Sequence, residues 1–462
     1  MKIGFVSLGC PKNLVDSEIM MGRLVERGHQ IVSDAGQAEV LVINTCAFIQ
    51  PACQESVNAI LEMAEHKRSG SAKRLIVTGC LVERYRDEIR REIPEVDAVL
   101  DTDQIGQIVA ACEGRQMDAS RAPYLYDERA PRLLATPGHY AYVKIAEGCD
   151  HTCSFCIIPQ LRGRFRSRQP DSVVAEVASL LARGVREIVL VAQDSTSYGE
   201  DLGLRDGLAH LLERLARLPA ACEYWVRFLY AYPNRVTQRL LDAMAAHPRI
   251  APYLDMPLQH ASAAVLRRMR RGGGAERFLR LIERVRRTVP GVALRSTFIV
   301  GFPGESERDF EELCQFLEAA RFQHAGVFGY SDEETAPSFR LPDKVDRRTI
   351  YHRKRRLMAI QRRISRAWNR SLVGRELPVL VEGPSPETEW LWQGRLATQA
   401  PEIDGVCLIN DVKGPPPARG QIRPLRITRA HDYDLVGTLL EPASDPQADR
   451  PTRSPVLPCL AR

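Results

Sequence analysis

No apolar run in the 462 residues approaches the roughly 18 that a membrane-spanning helix needs. The opening Met1-Lys2-Ile3-Gly4-Phe5-Val6-Ser7-Leu8 enters a strand-like segment where a signal peptide would carry its apolar region. A cytoplasmic protein with no membrane contact is expected. Cysteine is too sparse, at twelve, for a disulfide scaffold, and in a reducing compartment such residues point to metal or redox chemistry instead. Net charge is also small, at +6, so its distribution decides what it means. A core is not lacking: 44% hydrophobic and 26% charged residues exclude wholesale disorder and collagen-like structure. At roughly 150 residues per domain the chain divides into about three.

The charge is concentrated. From Leu341 to Arg370 eleven Lys or Arg stand against two Asp, a surplus of nine that leaves the remainder of the chain at −3. Leu357, Ile360, Ile364 and Trp368 recur among these charges at helical spacing, which predicts an amphipathic basic helix. Its polar face is either a solvated domain edge or a contact for RNA or a ribosome.

Three early segments share one design: Ile3 to Leu8 then Gly9-Cys10, Val40 to Asn44 then Thr45-Cys46, and Leu75 to Thr78 then Gly79-Cys80. The cysteines stand 36 and 34 residues apart, each about one strand-helix-strand unit. In a parallel sheet the residues just past the carboxyl ends of the strands gather in one crevice, so Cys10, Cys46 and Cys80 are expected to meet. A second series of strands is expected at Ala141 to Ile145, Glu187 to Ala192, Trp225 to Leu229, Tyr253 to Asp255, Ala293 to Ile299 and Ala325 to Phe328. Six such βα units fit an incomplete parallel barrel with functional residues at its strand ends. Short β-type runs follow at Pro378 to Val381, Val406 to Ile409 and Ile422 to Ile427. The fold class is therefore α/β: an amino-terminal parallel α/β sheet domain (1–120), a linker (121–137), a central incomplete (βα)6 barrel with the basic helix (138–370), a small all-β barrel (371–440) and a disordered tail (441–462).

Cys149, Cys153 and Cys156 have the spacing C-x3-C-x2-C directly after the first barrel strand. Three thiolates on one tight loop can hold three irons of a [4Fe–4S] cube and leave the fourth open to a small molecule. Zinc on these cysteines with His151 is the competing reading.

This triplet on a partial barrel resembles the radical S-adenosylmethionine (SAM) superfamily. The resemblance implies that the methionine amino and carboxylate groups of SAM chelate the open iron, and that the 5′-deoxyadenosyl radical abstracts unactivated hydrogen atoms, chemistry that acid and base side chains cannot supply. It also implies that Phe155 lies beside the adenine, against the simpler role of packing on the first strand. Thr297 to Glu305, with Gly301, is similar to the superfamily's glycine motif near adenine and ribose. Gln193 and Arg295, at or near strand ends, are further candidates for SAM contacts, and Arg162, Arg166 and Arg168 for steering a carboxylate.

The segments Gly9-Cys10-Pro11-Lys12-Asn13 with Asp16-Ser17-Glu18, Asn44-Thr45-Cys46, Thr78-Gly79-Cys80 and Cys156-Ile157-Ile158-Pro159 resemble the methylthiotransferases. Their order of cluster domain, radical SAM barrel and TRAM barrel covers about residues 1 to 440. The likeness implies that Cys10, Cys46 and Cys80 hold a second [4Fe–4S] cluster, also with an open iron, to which the sulfur to be inserted binds. A second SAM would supply the methyl group. A low-potential donor such as a flavodoxin or ferredoxin would supply electrons. Cys53, Cys112, Cys222, Cys314, Cys407 and Cys459 fit no such pattern. The first motif, Ala47-Phe48-Ile49, and Ala400-Pro401-Glu402-Ile403-Asp404-Gly405 resemble the RimO branch, which methylthiolates the β-carbon of an aspartate in small-subunit ribosomal protein S12. The alternative is a tRNA adenosine methylthiotransferase of the MiaB type. A barrel gripping tRNA phosphates should be basic, whereas residues 371–440 carry seven basic against nine acidic residues, which suits a basic ribosomal protein. Tyr330 to Ala336 lacks a glycine usual in the family, and Gly272-Gly273-Gly274 forms a flexible run; neither is expected to touch a cluster cysteine.

Overall fold

The computed structural model describes residues 1–118 and 123–442. The first five strands are β1 (Lys2–Ser7), β2 (Gln30–Val32), β3 (Val40–Thr45), β4 (Arg74–Gly79) and β5 (Ala98–Leu100). They form one parallel sheet in the order β2-β1-β3-β4-β5. Helices α1 (Pro11–Glu26), α2 (Gln50–Ser69), α3 (Cys80–Glu92) and α4 (Ile108–Glu113) cover its two faces. The central strands β3 and β4 are near-continuous apolar runs because both faces are buried. β2 and β5, three residues each, escaped the sequence reading.

The second unit starts with β6 (Tyr140–Lys144), followed by β7 (Ala146–Glu147), α5 (Ile158–Arg162) and β8 (Arg166–Ser167). β7 and β8 pair antiparallel and close the loop that carries Cys149, Cys153 and Cys156. Then come α6 (Pro170–Ala182), β9 (Glu187–Val191), α7 (Gly207–Ala216), β10 (Trp225–Phe228), α8 (Gln238–Ala246) and β11 (Tyr253–Asp255). The series ends with α9 (Ala263–Arg268), α10 (Ala275–Thr288), β12 (Ala293–Val300), α11 (Glu307–Ala320) and β13 (His324–Gly329). Two parallel three-stranded sheets, β10-β9-β6 and β11-β12-β13, are linked by a parallel bridge from Val226 to Ile250. The result is a six-stranded arc with β6 and β13 at its two ends. Alternation places Ala141, Val143, Ile188 and Leu190 against the outer helices, while Tyr140, Tyr142, Val189, Val191 and Tyr253 face inward. Val15 and Ile19 of α1 and Ala400 join that inner cluster, so the first unit packs against the hollow of the arc.

Residues 123–137, the described part of the expected linker, form a packed strap. Tyr126 is buried in the inner cluster, and buried Arg132 pairs with Glu18 of α1 and Glu176 of α6. The basic segment is α12 (Arg347–Ser371), capped by Asp346, whose side chain accepts from the Thr349 N–H. Its Leu357 and Ile360 enter the core. β14 (Glu376–Ser385), β15 (Thr388–Leu396), β16 (Cys407–Val412), β17 (Ile422–Ala430) and β18 (Leu435–Leu439) close a barrel in the order β14-β15-β16-β18-β17. β15 and β18 had no counterpart in the sequence reading. Apart from Glu441 and Pro442, the expected tail and its Cys459 lie outside the described residues.

Candidate active site

Cys10, Cys46 and Cys80 lie just past β1, β3 and β4, and backbone geometry brings them together. Gly9 and Gly79 precede two of them with φ of 93° and 96°. A Cβ on Gly9 would stand 2.8 Å from Cys46 Cβ, and one on Gly79 2.6 Å from the Thr45 carbonyl oxygen. Only glycine permits both the left-handed turn and this approach. Asn13 ties the three loops: its Nδ2 donates to the carbonyls of Leu8 (3.0 Å) and Thr45 (2.8 Å), and its carbonyl accepts from Asn44 Nδ2 (2.8 Å). Cys46 and Cys80 feel their neighbours. Burial, then Cys80 and more weakly Cys10, push the Cys46 thiol up to about 12, and burial with Cys10 raises Cys80.

In the second triad two thiols are raised as well. Burial pushes Cys156 up to about 12 and Cys149 to about 11, with Cys153 contributing to both. A bound cationic centre favours the thiolate form of such cysteines, which is how a cluster would be held. Among the described residues no three His, Cys, Asp or Glu converge closely enough to hold a single metal ion. Three thiols at each site are the donor set of a [4Fe–4S] cluster with one open iron. His151, the fourth ligand of the zinc reading, has its Nε2 2.7 Å from Asp194 Oδ2 and its ring stacked on Tyr232 at 4.0 Å.

Beside the first triad, where α1 meets the barrel, lies a buried polar network that sequence reasoning missed. Asp16 pairs with Lys144 through one oxygen and with Arg162 through the other, at 2.8 Å. Glu147 Oε2 pairs with Lys144 (2.7 Å) and Arg162 (3.1 Å), while its Oε1 accepts from Gln193 Nε2 (2.5 Å). Arg162 also reaches Asn13 and Cys80. Burial opposes the Glu147 charge, but Arg162 and Lys144 outweigh it and hold the carboxyl well below the usual carboxylate range. Asp16 stands 128 residues from Lys144 and 146 from Arg162. No local signal in the sequence marks such pairs. Lys12 Nζ lies 3.8 Å from the Tyr230 ring centroid, with one long hydrogen bond to the Ala192 carbonyl (3.4 Å). Tyr230 adopts φ 65° at the end of β10, where its N–H donates to Asp255 Oδ2 (3.1 Å). A left-handed tyrosine held by a carboxylate is backbone strain at the mouth of the barrel.

The proposed SAM contacts separate. Gln193 follows β9 and its Oε1 is buried without a hydrogen-bond partner, as is Oε1 of Gln259 near the ends of β11 and β12. Phe155 is half-buried against the barrel core. Arg295 is not at a strand end. It is the third residue of β12, inside the arc, paired with Asp255 (3.0 Å) and facing Asp404 of the carboxyl-terminal unit (3.7 Å). Gly301 follows β12 with φ 78°, its N–H bound by Glu305, and a Cβ there would collide with Ile350 of α12. Nor do the three loop arginines face outward to steer an anion. Arg162 serves the buried network, Arg166 faces Asp103 (3.3 Å), and Arg168 pairs with Glu176 (2.5 Å). Arg271, just before the glycine run, comes within 3.5 Å of Cys153 Sγ, donates to the Pro257 carbonyl and lies over the Tyr232 ring. The 330–341 segment also abuts the cysteine loop, with Ser338 N–H donating to the Ser154 carbonyl (2.8 Å).

Residues 2–101 match the family profile described as Uncharacterized protein family UPF0004, residues 143–317 that of the radical SAM superfamily and residues 373–440 that of the TRAM domain. The chain is 62% identical over 459 residues to the ribosomal protein uS12 methylthiotransferase RimO of Solibacter usitatus (strain Ellin6076), covering 99% of this chain and 97% of that protein. It is 52% identical over 487 residues to the protein of the same name from Koribacter versatilis (strain Ellin345), covering 95% and 96%. Among solved structures it is similar to the radical SAM methyltransferase TsrM from Kitasatospora setae, with cobalamin and a [4Fe–4S] cluster bound, at a TM-score of 0.53 and 14% identity over 73% of this chain and 76% of that one. At that identity the likeness concerns the fold.

Proposed function

The chain belongs to the RimO family of ribosomal protein uS12 methylthiotransferases, and from that membership we propose how its residues carry the activity. It is a radical SAM transferase that places a methylthio group on the β-carbon of an aspartate in ribosomal protein uS12. Cys149, Cys153 and Cys156 hold one [4Fe–4S] cluster and Cys10, Cys46 and Cys80 the second. The observation that supports this assignment is the buried Asp16, Lys144, Glu147 and Arg162 network, which ties α1, the helix that follows Cys10, to β6, β7 and α5, the elements that flank the loop of Cys149, Cys153 and Cys156.

An aliphatic C–H beside a carboxylate is too weakly acidic for any side chain to deprotonate, so SAM and its cluster, when bound, supply the one-electron hydrogen abstraction. The rest falls to the chain. Gln193 and Gln259 offer buried acceptors for the donors of SAM, and Arg271 sets a positive charge beside Cys153. Asn13, Gly9 and Gly79 fix the second triad, and Arg162 joins that triad to the barrel. Tyr230 and the inner apolar cluster exclude water from the space between.

The carboxyl-terminal barrel suits a basic protein partner. Arg395 and Arg423, two of its cations, are spent inside the structure on Glu187, Glu382 and backbone carbonyls. On α12, Arg353, Arg356, Arg363 and Arg366 pair with Glu305, Glu307, Glu311, Glu318 and Asp432. Arg347, Arg348 and Lys354 make no such pair among the described residues and provide an edge for phosphates of the small ribosomal subunit. The work is cytoplasmic, with electrons from a flavodoxin- or ferredoxin-like donor; among the described residues no helix is long and apolar enough to cross a membrane. Mass spectrometry of uS12 and of hydrolysed tRNA from cells with and without the gene tests the substrate. The methylthio group should vanish from uS12 without the gene, and its loss from tRNA alone would overturn the assignment.

A further inference from the structure

Three cations, Lys12, Lys144 and Arg162, lie where α1 meets the barrel, and their surroundings differ. Lys144 and Arg162 are each held by both Asp16 and Glu147, whose oxygens are thereby occupied. Lys12 makes no ion pair with a carboxylate among the described residues, although the charges of Glu147 and Cys10 act on it. It is only 8% exposed, and its three N–H donors have one acceptor, at 3.4 Å, plus the face of Tyr230. Most of its hydrogen-bonding capacity is therefore unused and open to a further acceptor. Its position narrows what that could be. Lys12 lies two residues after Cys10, in the first turn of α1, a helix whose start has no side-chain cap. Its Nζ reaches the ends of β9 and β10 at Ala192 and Tyr230, on the side where the barrel mouth meets the first sheet. The ammonium thus presents positive charge at the mouth of the barrel. Arg271, the other cation there without a carboxylate, sits instead against Cys153 and Tyr232.

Resting on the uS12 reading, we propose that Lys12 binds the side-chain carboxylate of the target aspartate and so selects an acidic residue. The reacting β-carbon must stand between the two triads, one bond from its carboxylate. That carboxylate, taken out of water, needs a charged donor within hydrogen-bond distance. Lys12 supplies it from the side of Cys10, leaving the β-carbon turned toward the space between the clusters. The Tyr230 ring holds the ammonium by its face without neutralising it.

The test uses the full chain loaded with its iron and sulfide, kept anaerobic, and purified uS12 as the probe, either native or with the target aspartate replaced by asparagine. Equilibrium binding is followed by fluorescence anisotropy. The unsubstituted enzyme should prefer the aspartate form by about tenfold or more, as a charge-assisted contact implies. Lys12→Met should bind both forms as weakly as the unsubstituted enzyme binds the asparagine form, with unchanged iron content, and Lys12→Arg should keep part of the preference. A Lys12→Met protein that still prefers aspartate overturns the proposal. So does one weakened equally toward both forms, which would make Lys12 a structural or cluster-balancing cation. An unsubstituted enzyme that binds both forms alike also overturns it, whereas one that binds neither refutes the uS12 reading itself.

Discussion

Arg162 answers Asp16, Glu147, Asn13 and Cys80 at once from a site only 5% exposed. Removing it takes one of two partners from Asp16 and one of three from Glu147. Arg162→Met is expected to destabilise the protein by about 3–5 kcal/mol, the cost of breaking a buried pair from one side. Urea unfolding of the iron-free protein checks this without involving turnover. At this scale the sequence was legible where function is local. Cys149, Cys153 and Cys156 announce themselves by spacing, and Cys10, Cys46 and Cys80 by following strands of one parallel sheet. Arg162 stood in a recognisable motif, but its role did not, because its partners Asp16 and Asn13 are 146 and 149 residues away. Arg295 was misplaced for a related reason: strand extent showed where β12 lies, but only assembly shows that Asp404 of the last barrel claims its side chain.

Among the elements, α12 shows how a basic surplus can be mostly structural. Arg353 is 7% exposed and pairs with the fully buried Glu305, whereas Arg363 meets Glu318 at the surface. Arg353→Met should therefore cost about 3 kcal/mol and Arg363→Ala less than about 1, a contrast that denaturant midpoints resolve. The helix was legible because its apolar stripe has helical period. Its partners on α11 were not, since their charges fit any solvated face. The carboxyl-terminal barrel is held at Glu382, which faces His139 (3.1 Å) and Arg395 (2.6 Å). Burial alone would raise its carboxyl, but the His139 hydrogen bond and Arg395 lower it to about 2 from the ordinary 4.5. A depressed carboxyl stabilises the folded state fully above about pH 4.5 and loses that contribution as pH falls toward 2. Thermal melts across this window should fall less steeply for Glu382→Gln than for the unsubstituted protein, a difference of about 3 kcal/mol at most. β15 and β18 were missed because a closed barrel buries only alternate residues. Trp390, Gln393 and Gly437 blur the runs that would have marked them.

Over the whole molecule, an α/β sheet and a partial barrel meet at their strand ends, and each brings three cysteines to the junction. The order of the three units could be read from periodicity, and the triads from spacing. That the units share one buried network could not, since it depends on side chains meeting across the assembled interface. The central consequence is a chain with two separate cluster sites. Iron and acid-labile sulfide should be counted after anaerobic reconstitution of three proteins: the unsubstituted chain, one with Cys10, Cys46 and Cys80 all changed to Ala, and one with Cys149, Cys153 and Cys156 so changed. Two sites predict about eight irons in the first and about four in each of the others; four in the unsubstituted chain, or zinc in place of iron, would contradict it.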